Sequence, residues 1–125
     1  MIRAALVVLL TAVTLPVFAQ QWTTVFTNGF TTFLVDLSSI KKNGSTRTFW
    51  MVMNYPPNTL FDGSLSQRSK ETIDCKKETV QVLTKTHFSQ SSASGVPIST
   101  IDPPPKWEHI VPASPIATVM KAVCN

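Results

Sequence analysis

Glu-Thr-Ile-Asp-Cys, residues 71–75, is the stretch that decides the fold, because it ends in one of only two cysteines in the chain. Apolar and polar side chains alternate around it, which predicts a β-strand with Ile73 and Cys75 on the same side. The other cysteine, Cys124, lies one residue from the end of the sequence. A bond between the two cysteines would therefore fasten the tail of the chain to a strand in the middle of the fold.

The N-terminal segment has the features of a secretory signal peptide. A cationic start is followed by an apolar run over residues 4–15 and by compact residues up to Ala19, the arrangement that a signal peptidase recognises. Threonines and a proline keep this run shorter than the ~20 apolar residues of a membrane-spanning helix. We predict a signal peptide over residues 1–19, cleavage between Ala19 and Gln20, and one exported domain over residues 20–125.

The exported domain contains a single pair of cysteines. Export places the domain in an oxidising compartment, where such a pair most simply forms a disulfide. We therefore predict a disulfide between Cys75 and Cys124. In the chain-entropy model, closing so long a loop contributes about 4 kcal/mol, which is a large share of the about 5–15 kcal/mol that stabilises a typical domain.

The middle of the chain is rich in β-branched and aromatic residues and predicts an antiparallel sheet of about five to six strands. The predicted strands cover residues 22–27, 30–35, 46–55, 68–76, 79–88 and 96–101. Asn28-Gly29 separates the first two strands and predicts a two-residue type I′ turn. Alternation in the fifth strand places Val80 and Phe88 on one face and Lys85 on the other.

The C-terminal segment predicts a short amphipathic helix. Ser114 supplies a hydroxyl N-cap, and Pro115 occupies the first helical position, where no N–H donor is needed. Apolar residues then follow at the spacing of one helix face: Ile116, Val119, Met120 and Val123. A helix this short is marginal alone in water. The predicted fold class is therefore α+β, with this helix packed on the sheet and tied to it by the disulfide.

No group of residues has the spacing of a known catalytic or metal site. Cys75, His87, His109 and Cys124 match the ligands of a zinc site in number, but their separations are much longer than those of such sites. No G-x-S-x-G elbow places a nucleophilic serine, and no glycine-rich phosphate loop occurs. We predict that the protein is not an enzyme and has no catalytic residues, no cofactor and no bound metal.

The charge pattern argues against a nucleic-acid-binding protein. The net charge of +4 falls to +3 when Arg3 is removed with the predicted signal peptide. The cations are scattered among carboxylates, which is typical of a solvated surface, and the aromatic residues interleave with β-branched residues instead of lysines. We expect no nucleic-acid partner and no membrane span after cleavage.

A series of landmarks extends through nearly the whole predicted domain. They are Trp22, Phe33-Leu34-Val35-Asp36 with Ser39-Ile40, Lys42-Asn43-Gly44, the strand around Trp50, Ile73-Asp74-Cys75, Trp107, Pro112, Ser114 and Cys124. In this order they resemble the bacterial surface-adhesin protein E family. The resemblance implies a curved antiparallel sheet with a C-terminal helix held across it by a disulfide, in a protein that forms homodimers. It also implies binding to host matrix or serum proteins such as vitronectin and laminin.

We expect an exported, non-enzymatic binding protein of the bacterial envelope, which contacts its partner through sheet edges and the loops at residues 56–67 and 89–95. The expected partner is a host matrix or serum protein or an envelope component. Two alternatives stay open: a periplasmic structural or envelope-maintenance module, and a small-ligand carrier. The family's adhesins are membrane-anchored, but no lipid-attachment cysteine follows the predicted cleavage site, which favours the periplasm or secretion over the cell surface.

Overall fold

Eight antiparallel strands, one 3₁₀ turn and one C-terminal helix form the fold in the computed structural model, which describes residues 4–5, 7–12 and 20–125. The elements are β1 (Thr23–Thr27), β2 (Thr32–Val35), the 3₁₀ turn (Leu37–Ser39), β3 (Lys41–Asn43), β4 (Thr46–Asn54), β5 (Ser66–Asp74), β6 (Thr79–Gln90), β7 (Ser94–Ile101), β8 (Glu108–His109) and α1 (Pro115–Val123). Most of the predicted signal peptide, Ala19 included, lies outside the described residues. Within the described ranges, no helix is both long and apolar enough to cross a membrane.

The strands form one curled sheet in the order β1-β2-β4-β5-β6-β7. Two short strands lie beside this path, since β3 pairs with β4 and β8 pairs with β6. The predicted α+β fold with a single curved antiparallel sheet is confirmed. The sheet has more strands than predicted because β3 and β8, which are only three and two residues long, lie in polar segments without a strand pattern.

The two faces of the sheet differ in what covers them. Residues directly opposite each other in antiparallel strands share a face; Phe49 pairs with Glu71, whereas Trp50 pairs with Lys70. Helix α1 packs on the face that carries Phe49, which we call the helix face; the face that carries Trp50 is the open face. The buried core on the helix face consists of Val35, Phe49, Met51, Ile73, Ile110, Ala117, Val119 and Val123.

Helix α1 starts at a capped N-terminus. The side chain of Ser114 accepts a hydrogen bond from the N–H of Ala117 at 3.3 Å, and Pro115 is the first residue of the helix. Val119 and Val123 are buried against the sheet. Because nine residues form a marginal helix in water, packing of this apolar side is what stabilises α1.

The disulfide joins Cys75 and Cys124, as predicted. Cys75 lies directly after the last residue of β5 and not within the strand. The N–H of Cys75 donates to the carbonyl of Ser45 at 2.8 Å. This hydrogen bond fixes Cys75 to the turn between β3 and β4. Cys124 is the C-cap of α1, and its N–H donates to the carbonyl of Met120. The bond therefore connects the end of β5 to the end of α1.

The β1–β2 hairpin is present, but its predicted two-residue turn is wrong. Thr27 pairs with Thr32, which leaves a loop of residues 28–31. The carboxamide oxygen of Asn28 accepts hydrogen bonds from the N–H groups of Phe30 at 2.9 Å and Thr31 at 2.8 Å. Asparagine side chains commonly replace turn hydrogen bonds in this way, and here the side chain supports a wider loop.

The predicted faces of β6 are wrong beyond its midpoint because of a β-bulge. Glu71 pairs with Val82 and Lys70 pairs with Thr84, so Leu83 is the extra residue. An extra residue reverses the alternation of every side chain that follows it. Val80, Val82, Lys85 and His87 therefore share the helix face, whereas Thr84, Thr86 and Phe88 share the open face.

The loop predicted at residues 89–95 is shorter than expected. Strand β6 extends to Gln90 and β7 begins at Ser94, so the connection is only residues 91–93. Ser92 and Ala93 both have positive φ, and hydrogen bonds of 2.7 and 3.3 Å join Ser92 to Asn54. The end of the β6–β7 hairpin therefore reaches back to β4, while β7 lies at the edge of the sheet, as predicted.

Candidate functional site

Three connections meet at one end of the sheet, which we call the loop end. They are the β1–β2 loop (residues 28–31), the β4–β5 loop (residues 55–65) and the β6–β7 turn (residues 91–93). The strand register places them together, because Thr32 pairs with Asn54 and Ser66 pairs with Phe88. Two aromatic side chains project from this end: Phe30 is 78% exposed and Phe61 is fully exposed. A folded domain gains nothing by exposing such rings, so they indicate a contact surface.

The β4–β5 loop is held in place by polar contacts on both sides of its exposed tip. The hydroxyl groups of Tyr55 and Ser64 are hydrogen bonded at 2.8 Å and are buried. Asp62 accepts a hydrogen bond from the N–H of Ser64 at 2.9 Å and contacts Nδ1 of His87 at 2.7 Å. The hydrogen bond to His87 is the largest cause that lowers the pKa of Asp62, to about 2. Phe61 is thus presented on an anchored loop.

The edge strand β7 is exposed along its whole length. All eight of its residues are solvent exposed, and Val96, Ile98 and Ile101 are large apolar residues among them. Within the described part of the chain, β7 pairs with β6 alone, so its outer backbone groups have no strand partner there. An exposed apolar edge is a template for adding another strand. Pro97, which has no N–H, limits such pairing near the middle of β7.

The residues considered for chemistry in the sequence are dispersed by the fold. Cys75 and Cys124 are consumed by the disulfide, His87 pairs with Asp62, and His109 lies on β8. Among the residues that the structure describes, no cluster of His, Cys, Asp and Glu is arranged to hold a metal ion. The Asp62–His87 pair was not predicted from the sequence, because the two residues are 25 positions apart and no spacing rule connects them.

A groove with a volume of about 390 Å³ lies beside β6. Val80, Val82, Pro103 and Pro104 supply its apolar walls, and the charged residues Lys85, Lys106 and Glu108 complete its lining. The proline segment predicted as an extended connection therefore forms one wall of this groove. The volume is near the lower limit of about 300 Å³ for small-molecule sites.

Glu71 is an acidic residue in the core. It is 7% exposed on the helix face, where the hydroxyl of Ser69 donates a hydrogen bond to its carboxyl group. Burial raises the pKa of Glu71, and the hydrogen bond and the charge of Lys85 offset only part of this effect. The folded state therefore favours the neutral carboxyl group. The contribution of neutral Glu71 to the free energy of unfolding is fully present below the unfolded-state pKa of 4.5. It is lost as the pH rises through the folded-state pKa.

We expect the free energy of unfolding to fall as the pH rises above the unfolded-state value of 4.5, because the unfolded state then binds fewer protons than the native state. Glu71→Gln keeps a neutral polar group at this position and should remove most of that slope. The measurement is urea unfolding across this pH range, with Glu78→Gln, an exposed residue of the β5–β6 turn, as the matched control. If the free energy of unfolding depended on pH equally in wild type and Glu71→Gln, Glu71 would not be the group responsible for the pH dependence.

Comparisons with known proteins give one family and one fold. A family model described as surface-adhesin protein E matches residues 22–125. The selenomethionine form of Haemophilus influenzae protein E superposes with a TM-score of 0.64 at 13% identity, over 87% of this chain and 88% of that chain. Crystal form II of the same protein superposes with a TM-score of 0.63 at 14% identity, over 90% of this chain and 96% of that chain. A comparison with curated proteins found no match. At these identities the structural likeness shows the fold alone.

Proposed function

The chain belongs to the surface-adhesin protein E family, and on this basis we propose that it is an exported, adhesin-like protein that binds other proteins without catalysis. The observation that carries the proposal is the exposed apolar edge strand β7, beside the projecting aromatic rings of the loop end. Scattered apolar residues need no explanation, but a complete exposed edge does. The partner class expected from the resemblance is a host matrix or serum protein.

Strand addition is the binding mode that β7 supports. A partner segment in extended conformation would pair with the outer backbone groups of β7, and its side chains would pack beside Val96, Ile98 and Ile101. Main-chain hydrogen bonds would supply affinity, and the apolar side chains would supply specificity. Pro97 would restrict the pairing to the two halves of the strand on either side of it.

The loop end would supply the second part of the contact. Aromatic residues are the side chains most enriched where binding energy is concentrated. Phe61 lies on a loop fixed by Asp62, so little conformational entropy would be lost when its ring is buried against a partner. Phe30 on the neighbouring loop would extend the same surface.

The test compares two valine substitutions in the exported protein. Val96, on β7, is 67% exposed and Val111, outside β7, is 62% exposed, so Val96→Lys and Val111→Lys make the same chemical change at equal exposure. With vitronectin and laminin each immobilised, we expect Val96→Lys to weaken binding roughly tenfold and Val111→Lys to leave it unchanged. Equal effects would exclude the β7 edge, and no binding to either protein would exclude vitronectin and laminin as partners.

Location separates this proposal from its main alternative. We propose that residues 1–19 are removed as a signal peptide and that residues 20–125 act at the cell surface or after secretion. Protease treatment of intact cells should then degrade protein held at the cell surface, and secreted protein should be found in the culture medium. A periplasmic envelope-maintenance module would instead resist that treatment, would be released by osmotic shock and would co-purify with an envelope component.

The groove beside β6 favours a second candidate function, a small-ligand carrier. Lys106 and Glu108 in the lining pair with each other, so apolar walls with Lys85 would suit a small apolar molecule that carries an acidic group. Native mass spectrometry of protein purified without denaturation would show the additional mass of a bound molecule. A homodimer, which the resemblance implies, would appear in the same spectra as twice the mass of the chain.

A further inference from the structure

A cluster of cations surrounds one tryptophan on the open face of the sheet. Trp50 and Lys70 are direct partners across β4 and β5, and Arg68 lies two residues from Lys70 on the same face. Lys41, on β3, reaches this face because it pairs with Thr48. We call Lys41, Trp50, Arg68 and Lys70 the cationic cluster. It lies on the side of the sheet opposite to the core and is distinct from the β7 edge and the loop end.

Arg68 is fixed between two aromatic rings. Its guanidinium carbon lies 5.2 Å from the ring centroid of Trp50 and 5.2 Å from that of Phe88, and Nζ of Lys70 lies 5.9 Å from Trp50. Cations at these distances are attracted to the ring face. The rings therefore hold the guanidinium group in one place without neutralising its charge.

None of the three cations of the cluster forms an ion pair in the part of the chain that the structure describes. The two ion pairs found there are His87–Asp62 and Lys106–Glu108, and neither includes a residue of the cationic cluster. The Nε of Arg68 is buried with no hydrogen-bond partner among the same residues. Positioned cations without a local counter-ion raise the potential of the surface and attract anions.

Hydroxyl groups and a small cavity surround the cationic cluster. Thr48 and Thr72 are hydrogen bonded through their hydroxyl groups at 2.8 Å, and Thr84 and Thr86 lie on the same face of β6. A cavity of about 200 Å³ beside Trp50 is lined by Ser38, Ser39, Lys41 and Lys70, among others. This volume is below that of usual small-molecule sites, about 300–1,000 Å³. The cavity is therefore sized for one charged group of a larger ligand.

We propose that the cationic cluster binds a linear acidic polysaccharide that carries sulfate or carboxylate groups. Arg68 and Lys70 are about 7 Å apart along their strand, and Lys41 lies beyond Trp50 on another strand, so a repeating anion can contact all three cations at once. The hydroxyl oxygens of the threonines keep lone pairs that can accept hydrogen bonds from the hydroxyl groups of sugars. A single-stranded nucleic acid fits less well, because Arg68 and Lys70 already occupy a ring face of Trp50 that a base would need.

The test measures the affinity of the exported protein for heparin, with Lys70→Gln as the main variant. Each cation contacting a linear polyanion contributes about threefold to tenfold in affinity, so we expect a loss of that size. We also expect the slope of log affinity against log salt to fall by about one. Lys76→Gln, in the exposed β5–β6 turn, removes the same charge and should change neither quantity. Equal losses in both variants would overturn the proposal.

Further measurements separate binding at the cationic cluster from unfolding and from general attraction to polyanions. Arg68→Gln should weaken heparin binding at least as much as Lys70→Gln, and an unchanged melting temperature of Lys70→Gln shows that the loss is not due to unfolding. A single-stranded oligonucleotide or polyglutamate that binds as tightly as heparin, with the same loss in Lys70→Gln, would overturn the polysaccharide assignment. Val96→Lys should leave heparin binding unchanged, so this proposal and protein binding at β7 can fail separately.

Discussion

Removal of the Cys75–Cys124 disulfide lowers the free energy of unfolding by about 2–4 kcal/mol, the range typical of native disulfides. The bond closes a loop between residues 49 positions apart, and a long loop restricts the unfolded chain strongly. It also connects α1 to β5, so its loss frees the end of a helix that is marginal alone. For a domain of about 100 residues, each kcal/mol lowers the melting temperature by about 4–8 °C. We expect a decrease of at least about 8 °C.

The variant for this measurement is Cys75→Ser with Cys124→Ser, which avoids a free thiol, and the readout is thermal unfolding followed by circular dichroism. Ser114→Ala is the control for the helix alone, because loss of an N-cap costs only about 1 kcal/mol. If the double variant melted no lower than Ser114→Ala, packing without the disulfide would be sufficient to hold α1.

Phe49→Ala should destabilise the domain by about 3–5 kcal/mol, the usual cost of removing a buried phenylalanine ring. Phe49 is 1% exposed and belongs to the core between the sheet and α1, together with Val119 and Val123. The cavity left by the ring would lie under the helix, where the disulfide prevents α1 from moving freely to fill it. A loss of this size is a large part of the total stability of a typical domain.

Urea unfolding at pH 6 measures this effect. Leu37→Ala is the control, because Leu37 is a large apolar residue in the exposed 3₁₀ turn and exposed substitutions usually change stability by less than about 0.5 kcal/mol. Equal losses for the two variants would show that Phe49 is not part of the core that holds the helix.

The parts of this fold that could be predicted from the sequence are those encoded by local pattern or by composition. The helix at Ser114-Pro115 follows from capping chemistry and apolar spacing, and the Cys75–Cys124 bond follows from an even cysteine count in a chain predicted to be exported. The strands around Trp50 and Ile73 follow from alternation. Each of these signals lies within a short segment or depends on residue type alone.

The missed features depend on contacts between distant segments. The bulge at Leu83 arises where β6 pairs with β5, and nothing in residues 79–90 marks the extra residue. The wider loop after Thr27 depends on which backbone groups Asn28 can reach. The candidate binding surfaces were predicted only as loops and edges, because the positions of Phe61, Phe30 and the cationic cluster depend on the register of four strands.

The position of Cys124 has a consequence for the order in which this protein matures. Cys124 follows all eight described strands along the chain, and under the export that we propose the polypeptide would emerge from its N-terminus. Every strand therefore emerges before the covalent link to α1 can close. During this interval the residues of the helix face, among them Phe49 and Ile73, are without the helix that covers them. Closure of the disulfide would then hold the helix over this face and limit the exposure of an aggregation-prone intermediate.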